Sequence, residues 1–168
     1  LQHLSNRQVQ VRFLHTLKEL LPADCQPIVL TDAGFSTPWF RAVEALGWSW
    51  LGRLRGQEYV RWIGECEWWQ GRQLYALALT TPRALGAVEI VRANPMHAGL
   101  FLLRKPKKGR SKRTRYGAKT RSKHSQKNAS RERQPWLLAA SPDLLIYSAK
   151  RIIALYRRRM QIEEAFRD

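Results

Sequence analysis

The chain has 168 residues, 44% of them apolar, and 30 Lys and Arg against 13 Asp and Glu, a formal net charge of +17. That apolar share can fill one core. No run approaches the roughly 18–20 apolar residues of a membrane span and no signal peptide is visible, so a membrane-spanning class is set aside. A membrane surface is set aside as partner because no amphipathic helix accompanies the basic cluster. The two cysteines, Cys25 and Cys66, have neither metal-ligand spacing nor the density of a disulfide framework, which points to a reducing, cytoplasmic setting.

The charge is unevenly placed. Fourteen Lys or Arg and one acid, Glu132, lie between Arg104 and Arg133, a surplus of 13, whereas the remaining 16 basic and 12 acidic residues leave only +4. Phosphate-rich partners are the natural counterpart of such a segment, because released counterions drive binding of this kind.

In chain order, Val9, Phe13, Leu17 and Leu20 recur at helical spacing over residues 6–21, with Asn6 as N-cap and Pro22 as the stop. Pro27-Ile28-Val29-Leu30-Thr31 is an apolar run of the kind that makes a strand buried on both faces, and Asp32-Ala33-Gly34 breaks it. Thr37-Pro38 reads as N-cap and first helical residue of a second helix carrying Phe40, Val43 and Leu46, ending near Gly47. Trp48–Leu54 is a second strand. Helix, strand, helix, strand is the alternation of a sheet with helices packed on it.

Short strands are then predicted at Tyr59–Ile63, Arg72–Thr80, Ala87–Val91 and Gly99–Leu103, a β-rich stretch without a competing helix. Residues 105–134 have almost no large apolar side chain and read as a flexible basic loop: a DNA-tracking arm, a solvated tract or a localisation-like patch. Trp136–Ala140 is one more strand. Ser141-Pro142-Asp143 turns into a long helix whose apolar side is Leu145, Ile152, Ile153, Tyr156 and Met160.

Two features carry chemistry. Asp32 ends an apolar strand, where a side chain can project into a cleft beyond the sheet; as a metal ligand it competes with the plainer reading of a turn residue ahead of glycine. Tyr156, Arg159 and Glu163 form a Y-x-x-R-x-x-x-E spacing that puts all three on one narrow helix face, spanning about 10 Å at roughly 1.5 Å per residue. An arginine fork suited to phosphate would then stand one turn from a carboxylate suited to a metal. The plainer alternative is a solvated face with an i,i+4 ion pair.

Together, Leu30-Thr31-Asp32-Ala33-Gly34-Phe35 and the Y-x-x-R-x-x-x-E helix resemble the second and third acidic stations of the IS-four family of DDE transposases, the YREK-motif group. The resemblance covers nearly the whole chain, with a β-rich basic insertion in the 131-residue interval between Asp32 and Glu163. It implies an α/β fold, an incomplete RNase H-like catalytic core interrupted by the β-strand-rich insertion. The core would comprise residues 1–56 and 141–168, and the insertion 57–140 with its basic loop at 104–134.

The resemblance further implies metal-dependent DNA cleavage and strand transfer, with Asp32 and Glu163 as catalytic ligands of a two-ion Mg²⁺ or Mn²⁺ site. Tyr156 and Arg159 match contacts to transposon-end phosphates. Trp136 matches a tryptophan on which an extruded base stacks, although Leu137 and Leu138 beside it also suit a core indole. Arg53 resembles a basic position facing the same DNA. From the loop, Arg104, Lys105, Lys107, Lys108, Arg110, Lys112, Arg113 and Arg115 are expected to contact DNA backbone. Partners would be double-stranded DNA, both transposon ends and target, and a second copy of the protein on that DNA, in a bacterial, nucleoid-associated setting.

The family's first Asp would lie upstream of the opening helix, and its closing Lys would fall seven positions after Glu163, two past Asp168. On that basis the chain alone is expected to bind DNA without cutting it. A basic nucleic-acid-binding module with structural carboxylates, and an RNase H-like nuclease without strand transfer, are the alternatives.

Overall fold

Residues 7–34, 36–105, 117–118, 122–123, 126 and 134–165 are described by a computed structural model, with side chains as far as Arg159. Helix α1 (Arg7–Leu20) forms where its periodicity places it, but it turns a different face inward. Leu14 is buried, with Leu17 and Leu21 packed against the core beside it. Phe13 and Leu20 of the expected stripe are 59% and 76% exposed. The helix carries two apolar stripes sharing Leu17, and the core to which α2 also belongs takes the one centred on Leu14.

Strand β1 (Ile28–Thr31) runs parallel to β2 (Ser49–Arg53), in register from Ile28 opposite Ser49 to Thr31 opposite Gly52. Among the described residues β1 has β2 as its one neighbour, so Ile28, Val29 and Leu30 are half-buried rather than sealed on both faces. The connection is helix α2 (Thr37–Ala45). Its N-cap is Ser36 rather than Thr37: the Ser36 carbonyl accepts from the Trp39 and Phe40 amides, and Pro38 sits in the first turn, where a missing N–H is harmless. Gly47 ends it in the left-handed region (φ 76°), and its amide returns to the Glu44 carbonyl at 2.9 Å.

The chain then builds β3 (Tyr59–Trp62), β4 (Trp69–Gln70), β5 (Arg83–Ile90), β6 (Met96–Leu103) and β7 (Trp136–Ala140). These join β1 and β2 in one sheet of order β1-β2-β7-β6-β5-β3-β4. Every pairing except β1 with β2 is antiparallel. The β-rich stretch is thus continuous with the sheet of the αβ unit through β7. The strand expected at Arg72–Thr80 is instead a 3₁₀ turn, Gln73–Leu77, that buries Leu74 alone. Its apolar residues are spaced for one anchoring contact, and a tight turn satisfies the backbone without a ladder.

The last helix begins later than predicted. Pro142–Ile146 is a 3₁₀ turn, and α3 (Ala149–Ala165) starts after Ser148, whose hydroxyl accepts from the Arg151 amide at 3.3 Å.

Alternation along β2, β6 and β7 divides the core into two layers. Trp50, Leu100, Leu102, Leu137 and Ala139 face the side of α1 and α2, joined by Leu14, Phe40 and Val43. Leu51, Phe101, Leu103, Leu138 and Ala140 face the side of α3, joined by Ile152, Ile153 and Tyr156. The central strands β6 and β7 are covered on both faces, as their unbroken apolar sequences require. The result is the mixed α/β architecture expected, helices on both faces of a mostly antiparallel sheet, consistent with an RNase H-like fold.

Candidate active-site cleft

Asp32 follows the last residue of β1, level with the end of β2. Its Oδ1 accepts the Gly34 amide hydrogen at 2.6 Å, an i to i+2 closure that sets the carboxylate's orientation. Oδ2 has no hydrogen-bond partner among the described residues. A carboxylate oxygen so placed is the hard donor a Mg²⁺ or Mn²⁺ ion takes, so Asp32 fits the role of ligand. No cluster of three His, Cys, Asp or Glu is found among the described residues. The side chain of Glu163 lies outside them, although the backbone of α3 includes its position.

Asp32 lines a cleft of about 550 Å³ together with Arg53, Arg55, Arg72, Tyr75 and Gln134. Arg53 ends β2. The register of β2 with β7, Arg53 opposite Leu138, puts it on the α3 side of the sheet. Tyr156 of α3 is buried there. Burial pushes its phenol above the ordinary value of 10.0; the Arg159 and Arg53 guanidiniums and a hydrogen bond from Arg159 oppose the shift, and the Asp32 carboxylate adds to it. The Tyr156 hydroxyl thus sits in the combined field of Asp32, Arg53 and Arg159, and the guanidinium carbon of Arg159 lies 5.6 Å from its ring centroid. Asp32 and Arg53 share the cleft, and Tyr156 with Arg159 stands within electrostatic reach of them on the α3 side of the sheet.

Trp136 is 5% exposed and packs in the α3-side core, edge-on to Tyr156 with ring centroids 5.1 Å apart. Of its two readings, the core indole describes the geometry found. Lys105 Nζ stands 4.9 Å over the ring, so a stacking base would first have to displace it. Arg104 is also committed: its backbone amide donates to the Leu79 carbonyl at 2.7 Å and its guanidinium to the Tyr75 carbonyl at 3.3 Å. Lys107, Lys108, Arg110, Lys112, Arg113 and Arg115 fall outside the described residues.

Arg55, Arg72, Tyr75 and Gln134 were not legible as cleft residues. Arg55 follows Arg53 at the i,i+2 spacing that would extend a strand face, the one local hint available. Arg72 and Tyr75 arrive through long-range backbone bonds, Gly71 N–H to the Glu58 carbonyl and Arg72 N–H to the Gly56 carbonyl, each 2.8 Å. No helix of the described residues is long and apolar enough to cross a membrane.

No curated protein sequence and no solved structure matches the chain. Residues 5–168 match the family model described as "Transposase DDE domain", a span that contains both the Asp32 cleft and α3. The chain belongs to that family of DDE transposases, whose activity is polynucleotidyl transfer.

Proposed function

We propose that the chain is the catalytic-domain portion of an IS-four-type transposase of the YREK-motif group, which cuts DNA at element ends and joins them to target DNA. The observation that carries this reading is that Asp32 and Arg53 line one cleft, with Tyr156 and Arg159 of α3 in electrostatic reach of both on the same side of the sheet. A carboxylate beside several guanidiniums suits a phosphodiester lying next to a cation.

In this reading Asp32 and Glu163 would hold Mg²⁺ or Mn²⁺ as two of the three carboxylates of the family's site. Such ions, when bound, activate the attacking oxygen and stabilise the leaving one in an in-line displacement at phosphorus. Arg53 and Arg159 bind phosphate oxygens and hold the strand against the carboxylates. The buried Tyr156 hydroxyl accepts a hydrogen bond from Arg159 and so braces that guanidinium, while burial favours the neutral phenol. Trp136 supports the Tyr156 ring from within the core and stacks an extruded base only if Lys105 moves aside. The partners are duplex DNA, at element ends and target, and a second copy of the protein, since two ends must be cut together.

Ferrous iron supplied with ascorbate and peroxide cuts a polypeptide beside the site where the metal binds. The expected fragments report cuts near residues 32 and 163, suppressed by excess Mg²⁺ and by Asp32→Asn. Cuts unchanged in Asp32→Asn would overturn the assignment and favour a binding module with structural carboxylates. In the full-length protein, joining of a 3′-hydroxyl end to target DNA is expected; product that is only nicked would identify a hydrolytic nuclease.

A further inference from the structure

The cleft has a second basic wall that the family motifs do not include. It is built from the loop after β2 and the 3₁₀ turn Gln73–Leu77, and it presents Arg55, Arg72 and Tyr75 into the space that Asp32 and Arg53 line. Among the described residues, Arg53, Arg55 and Arg72 form no ion pair with a carboxylate. Three guanidiniums around one cleft outnumber its one carboxylate, Asp32, and together favour a further anion lying between them.

The wall is also held firmly. Gly71 and Arg72 donate to the carbonyls of Glu58 and Gly56, both at 2.8 Å, and Leu74 roots the turn in the core. A Cβ at Gly56 would stand 2.9 Å from the Tyr75 hydroxyl and 3.3 Å from the Arg72 Cβ, so loop and turn are in direct contact, with glycine permitting the approach. Such support fixes the base of Arg72 relative to β2, which a solvated surface arginine lacks. The Tyr75 carbonyl accepts from Arg104 at 3.3 Å, and Gln134 lines the same cleft, so the basic segment leaves and returns at this wall.

We infer that Arg72, with Arg55, is a phosphate-positioning residue that grips the sugar-phosphate backbone of a DNA strand from the insertion side of the cleft. Tyr156 and Arg159 are a separate contribution, from α3. The inference rests on the reading of the cleft as the seat of a DNA strand. It adds a contact that reads no base: affinity would fall for every sequence alike when it is removed. The planar fork of Arg72 can take two oxygens of one phosphate, so Lys in its place retains charge and loses geometry.

The test is binding of the chain to a short random-sequence duplex, followed by fluorescence anisotropy between about 50 and 200 mM salt. Arg72→Ala is expected to weaken binding about tenfold and to make the slope of log affinity against log salt shallower by about 1. Arg72→Lys should keep the slope and lose part of the affinity. Lys18→Ala, in the last turn of α1 and preceding the other end of β1, serves as the control for loss of one charge. Unaltered circular dichroism and urea midpoint in each variant keep a folding defect apart from a binding defect. Wild-type binding with Arg72→Ala indistinguishable from Lys18→Ala overturns this inference alone. Absence of any salt-dependent binding by the wild type overturns it together with the DNA reading of the cleft.

Discussion

The Gly34 amide donates to Asp32 Oδ1 at 2.6 Å, and a Cβ built on Gly34 would stand only 2.9 Å from that same oxygen. The carboxylate's orientation therefore depends on a residue with no side chain two positions later. Gly34→Ala is expected to leave the fold intact and turn the carboxylate away. Loss of such a supporting contact typically weakens metal binding by roughly 10–100-fold. Mn²⁺ titration followed by electron paramagnetic resonance would measure it, and affinity equal to wild type would show that the amide contact does not orient the ligand.

Two phenols give a pH signature. Burial raises the pKa of both Tyr75 and Tyr156 above the ordinary 10.0, against the opposing fields of Arg53 and, at Tyr156, Arg159. A raised folded-state pKa means that folding favours the protonated form. The associated stability is present in full below pH 10.0 and is lost as pH rises through the raised folded values. Urea midpoints should show no tyrosine-linked decline up to about that pH and fall above it, with a smaller fall in Tyr156→Phe. Tyrosinate absorbance at equilibrium gives the same ordering directly.

Gly52 marks the tightest approach between the two parallel strands. A Cβ there would meet Thr31 Oγ1 at 2.5 Å and the Phe40 ring at 3.2 Å, both buried. Gly52→Ala overpacks this junction and should destabilise by about 1–3 kcal/mol. Because Arg53 is the next residue, DNA affinity should fall as well; chemical denaturation and anisotropy on one preparation separate the two.

Trp136→Ala removes a core indole and should destabilise by about 3–5 kcal/mol. Trp136→Phe keeps most of the packing against Tyr156. If the indole serves chiefly as core, the Phe variant retains near-wild-type DNA affinity.

How much of this was legible depends on whether the determinant is local. The β1 run, the Pro38 start of α2 and the Gly47 stop each encode their element within a few residues, and all three elements formed. The places of Asp32 at the end of β1 and of Tyr156 and Arg159 on one helix were legible because strand ends and helix periodicity fix them; their roles came from the family resemblance. The inward face of α1 was not, because Val9, Phe13 and Leu20 make as good a stripe as Leu14, Leu17 and Leu21 until a neighbour selects one. The 3₁₀ turn at Gln73–Leu77 was read as a strand for a related reason. Its position depends on backbone bonds to Gly56 and Glu58, and nothing in its own residues announces them.

Lys107, Lys108, Arg110, Lys112, Arg113 and Arg115 can be tested together by replacement with Ser and Gln. At about 0.9 per neutralised phosphate, the salt slope should become shallower by up to about 5. An unchanged slope would mean that these charges do not meet DNA.

Both ends of the basic segment lie at one rim, Arg104 on the Tyr75 carbonyl and Gln134 in the wall of the cleft. Whatever path the intervening residues follow, half the contour is about 50 Å at roughly 3.5 Å per residue, and none can stand farther from the rim than that. A surplus of 13 positive charges is thus tethered, by chain length alone, within reach of whatever the cleft binds.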